Sequence, residues 1–491
     1  MFQAITLEIS VLVLGFVLLG VESFSKAPSR KGLANAGIFA LGWILLLSFF
    51  VQGNPTQVEP GSFWNFYSAD LTALFFKRLA IVATIGVLIL ARDFEGTLKR
   101  FIPAERPGAG TGEFYCLPVL TCAGLMLMAS ATDLVLAFVA LELVTISFYV
   151  LVAYLRGQSE SLEAGVKYLI LGALSTGFFV YGMTWIYGIT GDTNLAKVAT
   201  KLATLQNSET AILFAFLLVL VGLGFKVGAV PFHIWIPDVY SGAPTPITAF
   251  LSVASKSAGF LLAVRVIQPF LGASPVAAKV ALILTVVAGA TLLVGNLGAL
   301  PQNNLKRLLA YSSIGHAGYL LMALASSQTE NSPSAFGSSA SSVAFYLAGY
   351  LAMTLLAFLV LQTVASHSKG DDIAHFNGLA KRSPFLAFAL TIAMASLAGI
   401  PLTAGFYGKF LVFTQAVKAQ QFTLVGLGIV AVAAGFYFYL RVVAAAFWQE
   451  PNETTVIEIS PLSRIAISVL IVGILVAGVF PKTILGMLTV S

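Results

Sequence analysis

Stretches of about twenty apolar residues recur along this chain from one end to the other, separated by short polar breaks. A helix needs about that length to cross the hydrocarbon core of a bilayer, so the repetition restricts the fold severely. Hydrophobic residues make up 58% of the 491 positions, charged residues only 10%, and mean hydropathy is +0.92. Water-soluble domains do not have this balance. Barrel strands would read as short alternating segments instead. The expected fold class is therefore all-α, a polytopic membrane protein of about fourteen transmembrane helices.

The apolar runs place helices near 5–22, 34–51, 69–90, 115–131, 134–154, 163–189, 211–231, 245–269, 277–299, 307–326, 342–365, 384–401, 403–419, 422–447 and 463–482. Counting 384–401 with 403–419 as one interrupted helix gives fourteen. The first run lacks a basic segment before it and a cleavage site after it, so it reads as a retained helix and not a signal peptide. The longest polar stretches, 91–114 and 366–383, are too short to bury a core of their own. No phosphate-binding Gly-rich loop, CxxC set or His-pair haem site appears. Cys116 and Cys122 read as buried packing thiols.

In a soluble protein a net charge of +6 would point to nucleic acid, but here the basic residues sit in loops and set orientation. Loops after the first, third, fifth, ninth, eleventh and thirteenth helices hold Lys26, Arg30 and Lys31; Arg92, Lys99, Arg100 and Arg106; Arg156; Lys306 and Arg307; Lys369, Lys381 and Arg382; and Arg464. The intervening loops are poorer, with Lys197 and Lys201 between 190 and 209 and no basic residue in 52–65 or 326–342. Cytoplasmic loops carry the excess of Lys and Arg, so both termini are expected on the outer side.

Charged side chains within apolar runs are costly, at roughly 2.5–3.5 kcal/mol each near the bilayer centre, and they mark functional sites. Glu142 lies midway along 133–154, and Lys256 lies in the middle of 245–269. Lys226 precedes Pro231 by five residues, and Lys409 follows Pro401 by eight. Proline removes a backbone donor, and the carbonyls freed by a broken helix can solvate an ammonium group inside the membrane. The competing reading for each lysine is a side chain that snorkels to the headgroups, strongest for Lys409. Buried lysines exchange protons closer to neutrality than exposed ones, and a mobile carboxylate beside one would control its proton. His233, in Pro-Phe-His-Ile-Trp, is either a proton relay or a cap on the broken helix. His316 titrates near neutrality and has hydroxyls within a turn or two, so it is a candidate to extend a polar wire. Asp133 reads as an interfacial residue or a first-turn anion favoured by the helix dipole, Lys306 and Arg307 as helix-end anchors, and His367 and His375 as solvated.

The two Gly/Pro-interrupted segments, 222–231 and 398–409, each follow a helix with a central ionisable residue. Pro231 lies 89 residues after Glu142 (231 − 142) and Pro401 lies 85 after His316 (401 − 316). Such pairs of interrupted segments point to repeated halves around a transport site.

Several long motifs carry a resemblance. The segments Gly-Phe-Lys226-Val-Gly-Ala-Val-Pro-Phe-His-Ile-Trp, Phe-Leu-Ser-Val-Ala-Ser-Lys256, Leu-Ala-Tyr-Ser-Ser-Ile-Gly-His316-Ala-Gly-Tyr and Gly-Ile-Pro-Leu-Thr-Ala-Gly-Phe-Tyr-Gly-Lys409 resemble the antiporter-like subunits of respiratory complex I. The similarity covers roughly 115–450 and is nearest to the NuoN type, the counterpart of mitochondrial NADH dehydrogenase subunit 2. L-type relatives carry a long C-terminal lateral helix, and M-type and Mrp relatives usually have Glu where Lys409 stands. The resemblance implies a proton-translocating subunit of a bacterial inner-membrane NADH:quinone oxidoreductase. It implies N-terminal helices over 1–114, two inverted five-helix repeats over 115–270 and 271–450, and a last helix in 451–491. Glu142 and Lys226 would form the coupling pair, Lys256 the central relay and Lys409 the outward end, with His233 and His316 assisting. NuoM-type and NuoK-type neighbours and membrane lipids would surround it, with no nucleic acid. NADH, FMN, iron–sulfur clusters and quinone would belong to partner subunits. The alternatives are an Mrp-type cation/proton antiporter subunit and a structural membrane scaffold.

Overall fold

A computed structural model describes residues 2–25, 29–51, 65–102, 110–205, 208–329, 333–368, 370–451 and 456–488. Lys26, Arg106 and Lys369 lie outside the described residues. Helices α1 (Phe2–Phe24), α2 (Lys31–Ser48), α3 (Leu71–Asp93), α4 (Glu113–Ser130), α5 (Leu134–Val152) and α6 (Ser159–Thr190) lead to α7. That helix is broken into Glu209–Val227 and Trp235–Gly242. Next come α8 (Thr245–Leu271), α9 (Ala277–Ala299), α10 (Leu305–Ala325) and α11 (Pro333–His367). A second broken helix, α12, comprises Pro384–Ala398 and Ala404–Lys418, and α13 (Phe422–Trp448) and α14 (Pro461–Val479) follow. Among the described residues thirteen helices are long and apolar enough to cross a membrane, and the first half of α12 is a shorter apolar one. The expected architecture of fourteen helices is thus present. Short helices such as Glu95–Phe101 and Leu195–Thr204 lie in the loops, and isolated bridges are the only β structure among the described residues.

Short side chains start the helices where the sequence places them. Asp70 accepts from the Ala73 N–H (2.7 Å), Asp133 from Val135 (2.8 Å), Asn304 from Arg307 (3.0 Å) and Ser460 from Ser463 (3.2 Å). Each satisfies one of the orphan donors of a helix N-terminus. Asp133 is accordingly the N-cap of α5, as its position suggests.

Loops after odd-numbered helices meet at one end of the bundle. Gly157 donates to Phe101 O (2.8 Å), Ser29 to Glu95 (3.1 Å), Ser460 to Asp93 (2.6 Å) and Leu305 to Asp371 O (2.8 Å). The basic-poor loops meet at the other end, where Tyr67 bridges Ala131 and Asp133 bridges Asn194.

Both broken helices stop on a left-handed glycine, Gly228 (φ 78°) and Gly399 (φ 89°). Gly228 and Ala229 both donate to Gly224 O (2.9 and 2.8 Å); Gly399 and Ile400 both donate to Ala395 O (3.0 and 2.9 Å). A left-handed residue costs an L side chain roughly 1–2 kcal/mol, which glycine avoids. The break expected at Pro231 therefore comes three residues earlier, and the proline lies within the connecting turn.

The core runs through α8, α10 and α11, buried on nearly all sides, while α1, α2, α6, α13 and α14 present exposed apolar faces such as Phe16, Phe39, Ile170, Ile429 and Val469. Glycines let α9 approach α10 closely: a Cβ on Gly295 would meet the Gly315 backbone at 2.2 Å. Small residues at crossings substitute for a hydrophobic driving force that lipid does not supply.

Candidate functional site

The helices at the centre carry the polar residues. Lys226 is the penultimate residue of the first half of α7. Its ammonium therefore sits where helix carbonyls end and the macrodipole is negative. It is buried, and its Nζ donates to Thr145 Oγ1 on α5. Thr145 stands one turn after Glu142, whose Oε1 accepts from Thr176 Oγ1 of α6 at 2.7 Å. Glu142 is only half-buried and lies on the flank of α5 that also exposes Val139, Leu143 and Ile146. No ion pair joins Glu142 to Lys226 among the described residues. Lys226 bonds Thr145, one turn along the helix that carries Glu142, and Glu142 bonds Thr176.

Lys256 follows directly on a π-helical turn, Leu251–Ser255, inside α8. Such turns are rare and concentrate at functional sites. Its Nζ donates to Ser313 O (2.5 Å) and to Ser313 Oγ, with the Tyr350 ring 5.7 Å away. Ser313 Oγ also joins Tyr240 Oη (3.3 Å), and Ser252 joins Tyr350 Oη (2.9 Å).

His316 continues the line on α10. Its Nδ1 meets Tyr346 Oη at 2.7 Å and its Nε2 meets Tyr439 Oη at 3.2 Å, while Tyr439 also bonds Ser312. The serines beside His316 thus divide their work: Ser312 returns to it through Tyr439, and Ser313 holds Lys256. Lys409, on the second half of α12, reaches back over the break and donates to Leu397 O (2.9 Å) and Ala398 O (2.8 Å). Those carbonyls end the first half, so carbonyls freed at a break hold Lys409, whereas Lys226, for which they were expected, bonds the Thr145 hydroxyl instead. The Tyr319 ring lies 5.1 Å from the Lys409 ammonium. Lys226, Lys256, His316 and Lys409 are 6%, 2%, 3% and 7% exposed, which excludes snorkelling for all three lysines.

His233 stands apart. It occupies the turn between the halves of α7, half-exposed, with Nδ1 buried and unpaired and its carbonyl accepting from Ile236 N–H (2.9 Å). Lys306 is buried and donates to Ala243 O (2.6 Å) just beyond the second half of α7, so it anchors a neighbouring helix end. His367 is exposed, and Cys116 and Cys122 are buried and free.

Sequence reasoning missed Thr145 and the tyrosines 346, 350 and 439. Tyrosine in a membrane helix usually lies near an interface. Three tyrosines well inside apolar runs were the available signal. It also missed a buried ion pair, Lys77 Nζ to Glu8 Oε1 at 2.8 Å, between α3 and α1.

A family described as NADH:quinone oxidoreductase/Mrp antiporter, TM, matches residues 131–435. NADH-quinone oxidoreductase subunit N of Heliobacterium modesticaldum is 37% identical, covering 100% of this chain and 98% of that protein. The subunit of the same description from Anoxybacillus flavithermus is 37% identical over 97% of this chain and 95% of its own length. Among solved structures, a chain of respiratory complex I from Thermus thermophilus with bound aureothin superposes with a TM-score of 0.80 at 32% identity, covering 98% of this chain and 99% of that one. A chain of the archaeal membrane-bound sulfane sulfur reductase superposes with a TM-score of 0.85 at 25% identity, covering 99% and 96%.

Proposed function

Because this chain belongs to the NADH:quinone oxidoreductase/Mrp antiporter membrane family and its full-length relatives are subunit N of NADH-quinone oxidoreductase, we propose that protons cross it along Lys226, Lys256, His316 and Lys409, with Glu142 as the coupling carboxylate. The chain is a proton-translocating subunit of the membrane arm of that complex. The observation that carries the residue assignment is the kind of partner each buried base has. Lys226, Lys256 and Lys409 are held by hydroxyls and carbonyls and His316 by phenols, and none has a carboxylate within ion-pair distance among the described residues. A counter-ion would fix an ammonium in its charged state; neutral oxygens accept its hydrogen bonds and let the proton leave.

Glu142 acts on Lys226 from one helical turn beyond Thr145. Its half-exposed position on α5 suits a carboxylate covered by a neighbouring subunit, of NuoM or NuoK type, whose movement alters its distance from Lys226. His233 lies off the buried line, and its role is that of a side branch at the break of α7. The gathering of basic loops at one end favours both termini on the outer side of a bacterial inner membrane. The matched glycine-ended breaks of α7 and α12 favour repeats over 115–270 and 271–450, flanked by 1–114 and 451–491. Redox groups and quinone belong to other subunits of the complex. Full-length likeness to subunit N, together with Lys409, favours this reading over an Mrp-type antiporter.

The test is NADH-driven proton pumping and NADH:quinone turnover in membranes carrying Lys226→Ala, at equal amounts of assembled complex. Both fall sharply if Lys226 belongs to the path. Normal pumping and turnover would remove it from the path and favour a scaffold role.

A further inference from the structure

Among the described residues, a buried charged cluster between α1 and α3 is left unused by the relay. Glu8 on α1 and Lys77 on α3 are 1% and 0% exposed, and both lie outside the region matched by the family. Tyr67 joins them: its hydroxyl accepts from Lys77 Nζ (2.6 Å) and donates to Glu8 Oε1 (3.1 Å). The other carboxylate oxygen, Glu8 Oε2, is buried with no hydrogen-bond partner. A buried ion pair adds little stability once desolvation is counted, and an ionisable residue within the membrane marks function by default.

Tyr67 is also part of the wall of a cavity of about 710 Å³ at the basic-poor end of the bundle. Asn65, Thr132, Asn194, Gln268 and Arg265 line it too. Arg265 pairs with Asp70 at 2.7 Å, and Ser68 Oγ donates to the same carboxylate at 3.1 Å. Arg265 stands on α8 nine residues beyond Lys256, about 13.5 Å along the axis. Lys77 stands on α3 seven residues beyond Asp70, about 10.5 Å. The Arg265–Asp70 pair therefore ties the helix of the central lysine to the helix of the second cluster, beside the cavity that Arg265 lines.

We propose that Glu8, Tyr67 and Lys77 form a second proton-exchange site, which passes protons between the membrane interior and water in this cavity at the basic-poor face. The proposal rests on the proton-translocating reading above. In the exchange step Lys77 Nζ gives a proton to the Tyr67 oxygen while Tyr67 passes its own proton to Glu8 Oε1. The ammonium and carboxylate become an amine and a carboxylic acid and the phenol is regenerated; the amine then takes one proton from the membrane interior and the acid releases one toward the cavity, which restores the ion pair and moves one proton net. The neutral pair carries a smaller desolvation cost than the ion pair in the same place.

The experiment uses the intact complex in sealed membranes, with pumping measured per NADH oxidised at equal assembly. Tyr67→Phe keeps the Glu8–Lys77 ion pair and the ring but removes the shuttling hydroxyl. The double variant Glu8→Gln with Lys77→Met removes both charges together. Both are expected to lower the pumping ratio several-fold, with the double variant no better than either single one. A purely structural ion pair gives the opposite pattern: Tyr67→Phe pumps normally and the double variant recovers from its singles, and either result overturns the proposal. Lys226→Ala, run in parallel, separates the two readings. Normal pumping there sinks the relay assignment, whereas loss there with normal pumping in the Tyr67 and double variants sinks only the second site.

Discussion

Thr145→Val changes one atom at the junction between Glu142 and Lys226. Valine keeps the volume and the branching of threonine, and the helix of α5 is unaffected because Thr145 Oγ1 donates only within its own turn, to Leu141 O. What disappears is the hydroxyl that receives the Lys226 ammonium. A hydrogen bond to a charged group is worth about 1.5–3 kcal/mol, and a buried donor left without it bears that cost. Taking about 2 kcal/mol, and about 1.4 kcal/mol per factor of ten, the protonated Lys226 in its resting position becomes roughly 30-fold less populated. NADH:quinone turnover coupled to pumping should fall by up to that factor, with the amount of assembled complex unchanged. Thr145→Ser restores the acceptor and should restore most of the rate. If Thr145→Val turns over and pumps like the native complex, the hydroxyl does not hold the working proton, and the path must reach Lys226 from another side.

Two further outcomes follow from the same geometry. Gly399→Ala places a Cβ 3.0 Å from Lys409 Cδ at a position with φ 89°; the strain of roughly 1–2 kcal/mol and the displaced ammonium should cut coupled turnover about tenfold, and unchanged turnover would detach Lys409 from the break. Because Cys116 and Cys122 are buried, an impermeant maleimide should leave the native chain unlabelled. In a background without them, Lys31→Cys should react only from the cytoplasmic side and Lys201→Cys only from the outer side; the reverse would invert the topology.

The helices were legible because a bilayer demands length and hydropathy, both of which a linear sequence records. The central charges were legible for the same reason: Glu142, Lys226 and Lys256 stand alone in runs that exclude them. Their partners were not. Thr145 and Ser313 are ordinary residues in a membrane helix until a lysine 81 or 57 positions away is packed against them. Glu8 and Lys77 each sit in the first part of a helix, where a single charge reads as an interfacial side chain, and only the fold, which packs both α1 and α3 against α2 and α4, makes them a pair. The breaks show the opposite error. Pro231 drew attention as the stronger punctuation, yet Gly228 ends the helix, because only glycine relieves the left-handed turn that brings two N–H groups onto one carbonyl.

The π turn in α8 sets which way the rest of that helix faces. A helix advances by about 100° per residue, so one surplus residue at Leu251–Ser255 rotates everything after it by that amount relative to a regular helix. Ser252, before the offset is complete, addresses Tyr350; Lys256 and Arg265, after it, address Ser313 and Asp70. One helix thereby serves Tyr350, Ser313 and Asp70 together. A single-residue deletion there would leave the apolar length nearly intact while turning the central lysine and the cavity arginine away from both partners at once.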